Sequence, residues 1–191
     1  MSRAILNAIM LIALPTAVFL AGAWAMTKLV HRDQVTRQLG EKANAADRKP
    51  LNRRICGYGL ADVERHWGAL DRSALGIERR FLEFDLVFPT LYGAALVGAL
   101  LLAWLTLGRP FHAGWLFLPV TVTIVADWTE NLAQLSQLHS YICKGKDGLQ
   151  ATWIHVASLA TTLKLVFLIA SCLLLASMAV WVVCRAFRPP S

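Results

Sequence analysis

Residues 113–138 read AGWLFLPVTVTIVADWTENLAQLSQL, and this stretch decides what kind of fold the chain can adopt. It is long enough to cross a bilayer, which takes about 20 mostly apolar residues at 1.5 Å per residue, yet it carries two carboxylates. Thr123, Asp127, Glu130, Asn131 and Gln134 recur at helical spacing, so they form one stripe on an otherwise apolar helix. An acid at mid-bilayer costs about 2.5 to 3.5 kcal/mol even on the lenient insertion scale. The stripe must therefore face protein or water, and the rest of the chain must supply helices to cover it.

Three further segments have the length and apolarity to do so: Ala4 to Met26, Leu86 to Leu107 and Ile154 to Cys184. The fold class expected is all-α, a four-transmembrane-helix bundle with a short amphipathic helical hairpin between spans 1 and 2. Composition agrees: 57% of the 191 residues are hydrophobic and 16% charged, against roughly 25% charged in ordinary soluble domains. The first span has features of a secretory signal, with Arg3 before the apolar run and Ala23-Trp24-Ala25 resembling a cleavage site. Its run exceeds the about 7 to 15 residues of a signal core, so we read it as an uncleaved anchor. Pro15, Pro89 and Pro119 fall inside spans, where kinks are expected. Ala17, Ala21 and Ala25, and Ala94 with Gly98, offer small surfaces for close helix approach.

The chain thus divides into 1–26 (anchor), 27–85 (charged loop), 86–184 (spans 2 to 4) and 185–191 (tail). Lys28 to Asp85 holds twelve of the nineteen Lys and Arg residues and nine of the twelve acids. Because acids interleave with bases there, the net charge of +7 does not form a nucleic-acid stripe, and no nucleic-acid partner is expected. The polar run Lys42 to Pro50 reads as a linker. Beyond it, Leu60, Val63, Trp67 and Leu70, then Leu75, Ile77, Phe81 and Phe84, have the spacing of two amphipathic helices at the membrane interface. The second runs directly into span 2.

Four crossings put both termini and the turn 108–112 on one face (face A), and the two longer connections on the other (face B). Lys and Arg bias places face B in the cytoplasm. Cys56 and Cys143, one in each face-B connection, would instead close a disulfide if that face were oxidising, with two free thiols as the alternative. We adopt the extracytoplasmic orientation as the expectation.

Lys164 is the natural partner of the stripe. Counted inward from face B, Asp127 and Lys164 both lie about 15 Å deep. Asp85 and Tyr92 share a face of the second span, and His155, Ser158, Thr161 and Thr162 add polar groups to the fourth. One reading is a pocket that opens to face B, with the amphipathic hairpin as its lid, for a small polar ligand, lipid headgroup or ion. The plainer reading is helix glue, since interhelical polar contacts contribute about 0.6 kcal/mol each. Two acids and a lysine are a costly glue, which favours the pocket. A metal held by Asp127, Glu130 and His155 is the weaker option, because no dense His or Cys spacing accompanies it, so no metal or other cofactor is assigned. An accessory subunit of a larger membrane complex and a membrane-embedded acid–base enzyme are the other two function classes. No nucleophile–base pair favours the latter.

The run Arg80-Phe81, Asp85-Leu86-Val87-Phe88-Pro89 and Leu91-Tyr92-Gly93, then Leu118-Pro119, Asp127-Trp128-Thr129-Glu130-Asn131 and Thr162-Leu163-Lys164, resembles a family of uncharacterised four-span bacterial membrane proteins. Gly57-Tyr58, Val63 and Leu70 are similar to its face-B loop, so the resemblance covers roughly residues 57–167. Leu60-Ala61-Asp62 departs from it, lacking a cleaner helix-capping residue. The resemblance implies a bacterial inner-membrane location and a shared pattern of Asp85, Tyr92, Asp127, Glu130, Asn131 and Lys164. It implies no activity.

Overall fold

The computed structural model describes residues 3–42, 49–109 and 112–187, and among them every regular element is helical. Most of the expected linker (43–48), part of the face-A turn (110–111) and the end of the tail (188–191) lie outside the described residues. The long helices are α1 (Arg3–Lys28), α5 (Phe88–Thr106), α6 (Ala113–Lys144) and α7 (Ala151–Ala186). Between α1 and α5 lie α2 (Arg32–Lys42), α3 (Leu60–Gly68) and α4 (Arg72–Phe84). Among the described residues, three helical stretches are long and apolar enough to cross a membrane: Ile9–Lys28, Arg72–Thr106 and Ala151–Arg185. α6 has the length, but its polar stripe keeps it out of that group.

Each boundary has a local cause. α3 begins at Leu60 because the Gly59 N–H donates to Asp62 Oδ2 at 2.8 Å, so Asp62 supplies the cap that residues 60–62 seemed to lack. Asp71 caps α4 by accepting the Ala74 N–H at 2.8 Å. α4 does not run straight into the second span: the chain turns at 85–87 and restarts as a helix at Phe88. Pro89 is the reason. In an unbroken helix its nitrogen would bond the Asp85 carbonyl, which proline cannot do. That carbonyl instead accepts from Asn131 Nδ2 at 2.8 Å, and the Leu86 carbonyl accepts from Trp128 Nε1 at 3.0 Å. Pro89 therefore sits in the first turn of α5, where it is well tolerated, and not inside the span.

Two apolar clusters hold the helices together. Toward face A, Leu11 of α1 packs with Leu96 and Leu100 of α5, Leu116 and Val120 of α6, and Met178 and Val182 of α7. Toward face B, Val35 and Leu39 of α2, Val63 and Trp67 of α3, and Phe81 and Leu82 of α4 pack against Leu138 and Ile154. Each such side chain, once buried, contributes about 1.5–3 kcal/mol. The alanine stripes anticipated from spacing are not the packing surfaces, since Ala17, Ala21, Ala94 and Gly98 are exposed. Close approach occurs at Gly22 and Gly93, where a Cβ would overlap the Phe88 ring and the Ile124 side chain. The outward faces of the long helices are apolar, with Leu20, Leu173 and Val180 each more than 60% exposed. That surface is compatible with lipid and costly in water.

Candidate functional site

The whole stripe of α6 faces inward: Thr123, Asp127, Glu130, Asn131 and Gln134 are all buried. α7 runs antiparallel beside it and brings Lys164 to the same depth. Lys164 Nζ lies 3.0 Å from Asp127 Oδ1 and 2.5 Å from Glu130 Oε2, so one ammonium serves two carboxylates. Tyr92 donates its phenol proton to Asp127 Oδ2 at 2.7 Å, and Asn131 Nδ2 reaches Asp127 Oδ1 at 3.1 Å. Asp85 is buried near this group but enters it through its backbone, the carbonyl held by Asn131. All six residues singled out from the sequence therefore lie in one cluster. One ammonium thus stands between two carboxylates, each of which accepts from at least one further donor.

Sequence reasoning missed the extension of this network into the long loop. Gln134 Nε2 donates to Glu130 Oε1 at 3.0 Å and to the Tyr58 hydroxyl at 2.8 Å, while the Tyr58 N–H donates to Ser158 Oγ at 2.8 Å. Burial, reinforced by the Glu130 charge, pushes the Tyr58 phenol above its ordinary value, so it stays a neutral hydroxyl. The sequence signal for Tyr58 was its place in the Gly57-Tyr58 pair of the family resemblance, which gave it no role. Arg32 was missed as well. Its guanidinium lies over the Phe81 ring, 3.1 Å from the centroid, and 3.6 Å from Glu78 Oε1, with Asn52 Oδ1 at 3.3 Å. Burial pulls the Arg32 guanidinium down from its ordinary value while Glu78 pulls it back up. Nothing in the hydrophobic spacing of residues 29–42 marks α2, because its mean character is polar and only Val35 and Leu39 anchor it.

A cavity of about 760 Å³ opens beside the cluster. Its floor includes Asp85, Tyr92, Asp127 and Lys164, and its apolar walls come from Phe19, Ala23 and Met26 of α1, Phe88 of α5, and Leu165 and Leu168 of α7. At its face-B end stand Arg32, Asp33 and Arg37 of α2, with Asn52 and Arg53 from the turn Leu51–Arg53. The lid is thus α2 and this turn, not the α3–α4 hairpin that spacing suggested. The apolar faces of that hairpin are spent on α6 and α7, through Trp67, Phe81 and Leu82.

The disulfide alternative raised by the sequence fails here. Cys56 and Cys143 are free, exposed thiols. The Ile55 carbonyl accepts from the Thr162 hydroxyl at 3.1 Å, which fixes Cys56 near the level of Thr162, whereas Cys143 lies beyond the level of Gln150, whose N–H is held by Gln137 at 2.7 Å. That offset is roughly 18 Å along α7, far outside the about 4.4–6.8 Å between bridged Cα atoms. His155 is exposed and lies about 13 Å along α7 from Lys164, so it does not join Asp127 and Glu130. Among the described residues no set of three His, Cys, Asp or Glu side chains is arranged to hold a metal ion.

Comparisons with protein-family models, with curated proteins and with solved structures gave no match. What the chain can do must therefore be read from its own geometry, which is that of an all-helical protein with membrane-length apolar helices around a buried Lys164–Asp127–Glu130 cluster and an adjoining cavity.

Proposed function

We propose that this chain is a multi-pass membrane protein of four spans, α1, α5, α6 and α7, that binds a small polar or amphiphilic molecule in the cavity between them. The observation that carries this reading is the cavity's form: apolar walls at membrane depth, a charged floor and a basic rim, in a volume typical of small-molecule sites. α6 counts as a span because both carboxylates on it face Lys164, which leaves Val125 and Leu132 for lipid. The bilayer is thus its first partner. The D-x-x-E-N run and the later Lys support kinship with the four-span bacterial family, and with it an inner-membrane location. With the cysteines too far apart to pair, the Lys and Arg bias outweighs the length of the face-B loop, and it puts face B in the cytoplasm.

Acid–base catalysis is less well served, since the Lys164 ammonium is committed to two acids and the Tyr92 hydroxyl to one. An accessory subunit would dock through the apolar groove of Val122, Val125, Leu159 and Leu163, which lipid fills equally well.

Native mass spectrometry of the detergent-released protein tests the binding reading. A retained small molecule is expected, and Ala23→Trp, which fills the cavity from α1 without touching the triad, is expected to expel it. A protein that retains nothing, and that Ala23→Trp merely stabilises, would leave the cluster as helix glue.

A further inference from the structure

The buried charges near the cavity do not balance. Glu78 is paired with Arg32, and Asp127 and Glu130 share Lys164. Asp85 remains: it is 4% exposed, lines the cavity, and its carboxylate has no ion pair or hydrogen bond among the described residues. A buried carboxylate outside any ion pair is costly to keep ionised, and a cation offered through the cavity would offset that cost in place of a proton. The surroundings suit an organic ammonium. Phe88 and Tyr92 both line the cavity, their rings 5.4 Å apart, and Phe19, also on its wall, stacks on Tyr92 at 5.2 Å. Aromatic faces beside a carboxylate recognise alkylammonium groups. At the other end the sign reverses. Arg37 and Arg53 are exposed on the rim with Arg32 just inside, against the single acid Asp33, and guanidinium groups favour phosphate and carboxylate.

Building on the proposed binding role, we infer that the ligand is a zwitterion. Its ammonium docks on Asp85 beside Phe88 and Tyr92, and its anionic group, a phosphate ester, meets Arg32 and Arg53 at the rim. Such a group occurs in a free aminoalkyl phosphate and in an aminophospholipid headgroup. The apolar walls of Ala23, Met26 and Leu168 can accommodate the chains of the latter.

Calorimetric titration of the purified full-length protein in detergent, with O-phosphoethanolamine, 2-hydroxyethyl phosphate, ethanolamine and inorganic phosphate as probes, tests this. O-phosphoethanolamine is expected to bind at least tenfold more tightly than the other three. Asp85→Asn is expected to erase its advantage over 2-hydroxyethyl phosphate, and Arg53→Gln to weaken both phosphate esters alike. In a second arm, native mass spectrometry compares phosphatidylethanolamine with phosphatidylglycerol of the same chains. Preference for the former, with no binding of soluble probes, identifies the lipid headgroup as the source and supports the proposal. Equal binding of the ester pair together with equal binding of the two lipids by the wild-type protein overturns it, and that comparison needs no variant to fold. Unchanged zwitterion affinity in Asp85→Asn also overturns it, by assigning Asp85 a proton instead of a ligand. If the zwitterion preference is absent but Ala23→Trp still expels a retained molecule, the cavity binds something else and only the present inference falls.

Discussion

Removing the Lys164 ammonium is the sharpest test of the cluster. In Lys164→Met, Asp127 and Glu130 lose the cation that lies 3.0 and 2.5 Å away, and two buried carboxylates are left facing each other. The penalty has a ceiling, because one acid can take up a proton instead. Neutralising a carboxylate of ordinary pKa about 4.3 costs about 3.7 kcal/mol at pH 7 and about 1 kcal/mol at pH 5, at 1.36 kcal/mol per pH unit. A loss of about 3–4 kcal/mol at pH 7 is therefore expected, within the range of about 3–5 kcal/mol for broken buried pairs. At about 2–4 °C per kcal/mol for a chain of this size, the melting temperature should fall by about 6–16 °C. The sign with pH follows: the variant's acid is protonated when folded and ionised when unfolded, so the deficit shrinks as pH falls from 7 toward 4.3. The two acids are not equivalent. Asp127 keeps Tyr92 and Asn131 as donors, whereas Glu130 keeps Gln134, so Glu130→Gln should rescue Lys164→Met more than Asp127→Asn does. Thermal unfolding in detergent at pH 5, 6 and 7, on the singles and doubles, provides the measurement. Additive losses with no rescue, or a deficit independent of pH, would refute the pairing.

Arg32→Ala strands the Glu78 carboxylate, 2% exposed, and should cost about 3–5 kcal/mol with faster amide exchange in α2; Glu78→Gln on the same background should recover part of it, and a loss below about 1 kcal/mol would detach Arg32 from the lid. Because the Tyr58 phenol is raised by burial, its phenolate should not appear in absorbance titrations up to pH 11. Above its ordinary pKa of about 10 the folded state then pays for keeping that proton, so Tyr58→Phe should lose less stability than the wild type between pH 9 and 11, although it is weaker by about 1 kcal/mol at neutral pH; ionisation near pH 10 would contradict the buried contact with Gln134. In a Cys172→Ser, Cys184→Ser background, Cys56 and Cys143 should each take one maleimide with or without reductant.

Much of the site was legible in the sequence because helical periodicity is a strict local rule. Once residues 113–138 form a helix, Asp127, Glu130, Asn131 and Gln134 share a stripe, and the cost of acids in lipid requires that stripe to be covered. Equal depth then pointed to Lys164 without any knowledge of packing. What periodicity could not supply was the rotation of each helix about its own axis. That rotation is why spacing selected Ala17, Ala21, Ala94 and Gly98 for contacts actually made at Gly22 and Gly93; nor could periodicity supply the depth at which the long loop meets α7, which sets Cys56 far from Cys143. Pro89 was visible, but not its effect: the turn it forces at 85–87 frees the Asp85 carbonyl, and only the tertiary fold could show that Asn131 takes it. The placement of α2 was least accessible. A polar helix held by Val35, Leu39 and one arginine over Phe81 has no signature of its own, and the cavity it covers exists only because residues distant in the chain, from Phe19 to Leu168, converge on it. The sequence alone determined the long helices and the charged stripe, because both follow from local spacing and the energetics of lipid; the cavity, its lid and the unpaired Asp85 were decided by side-chain packing between segments far apart in the chain.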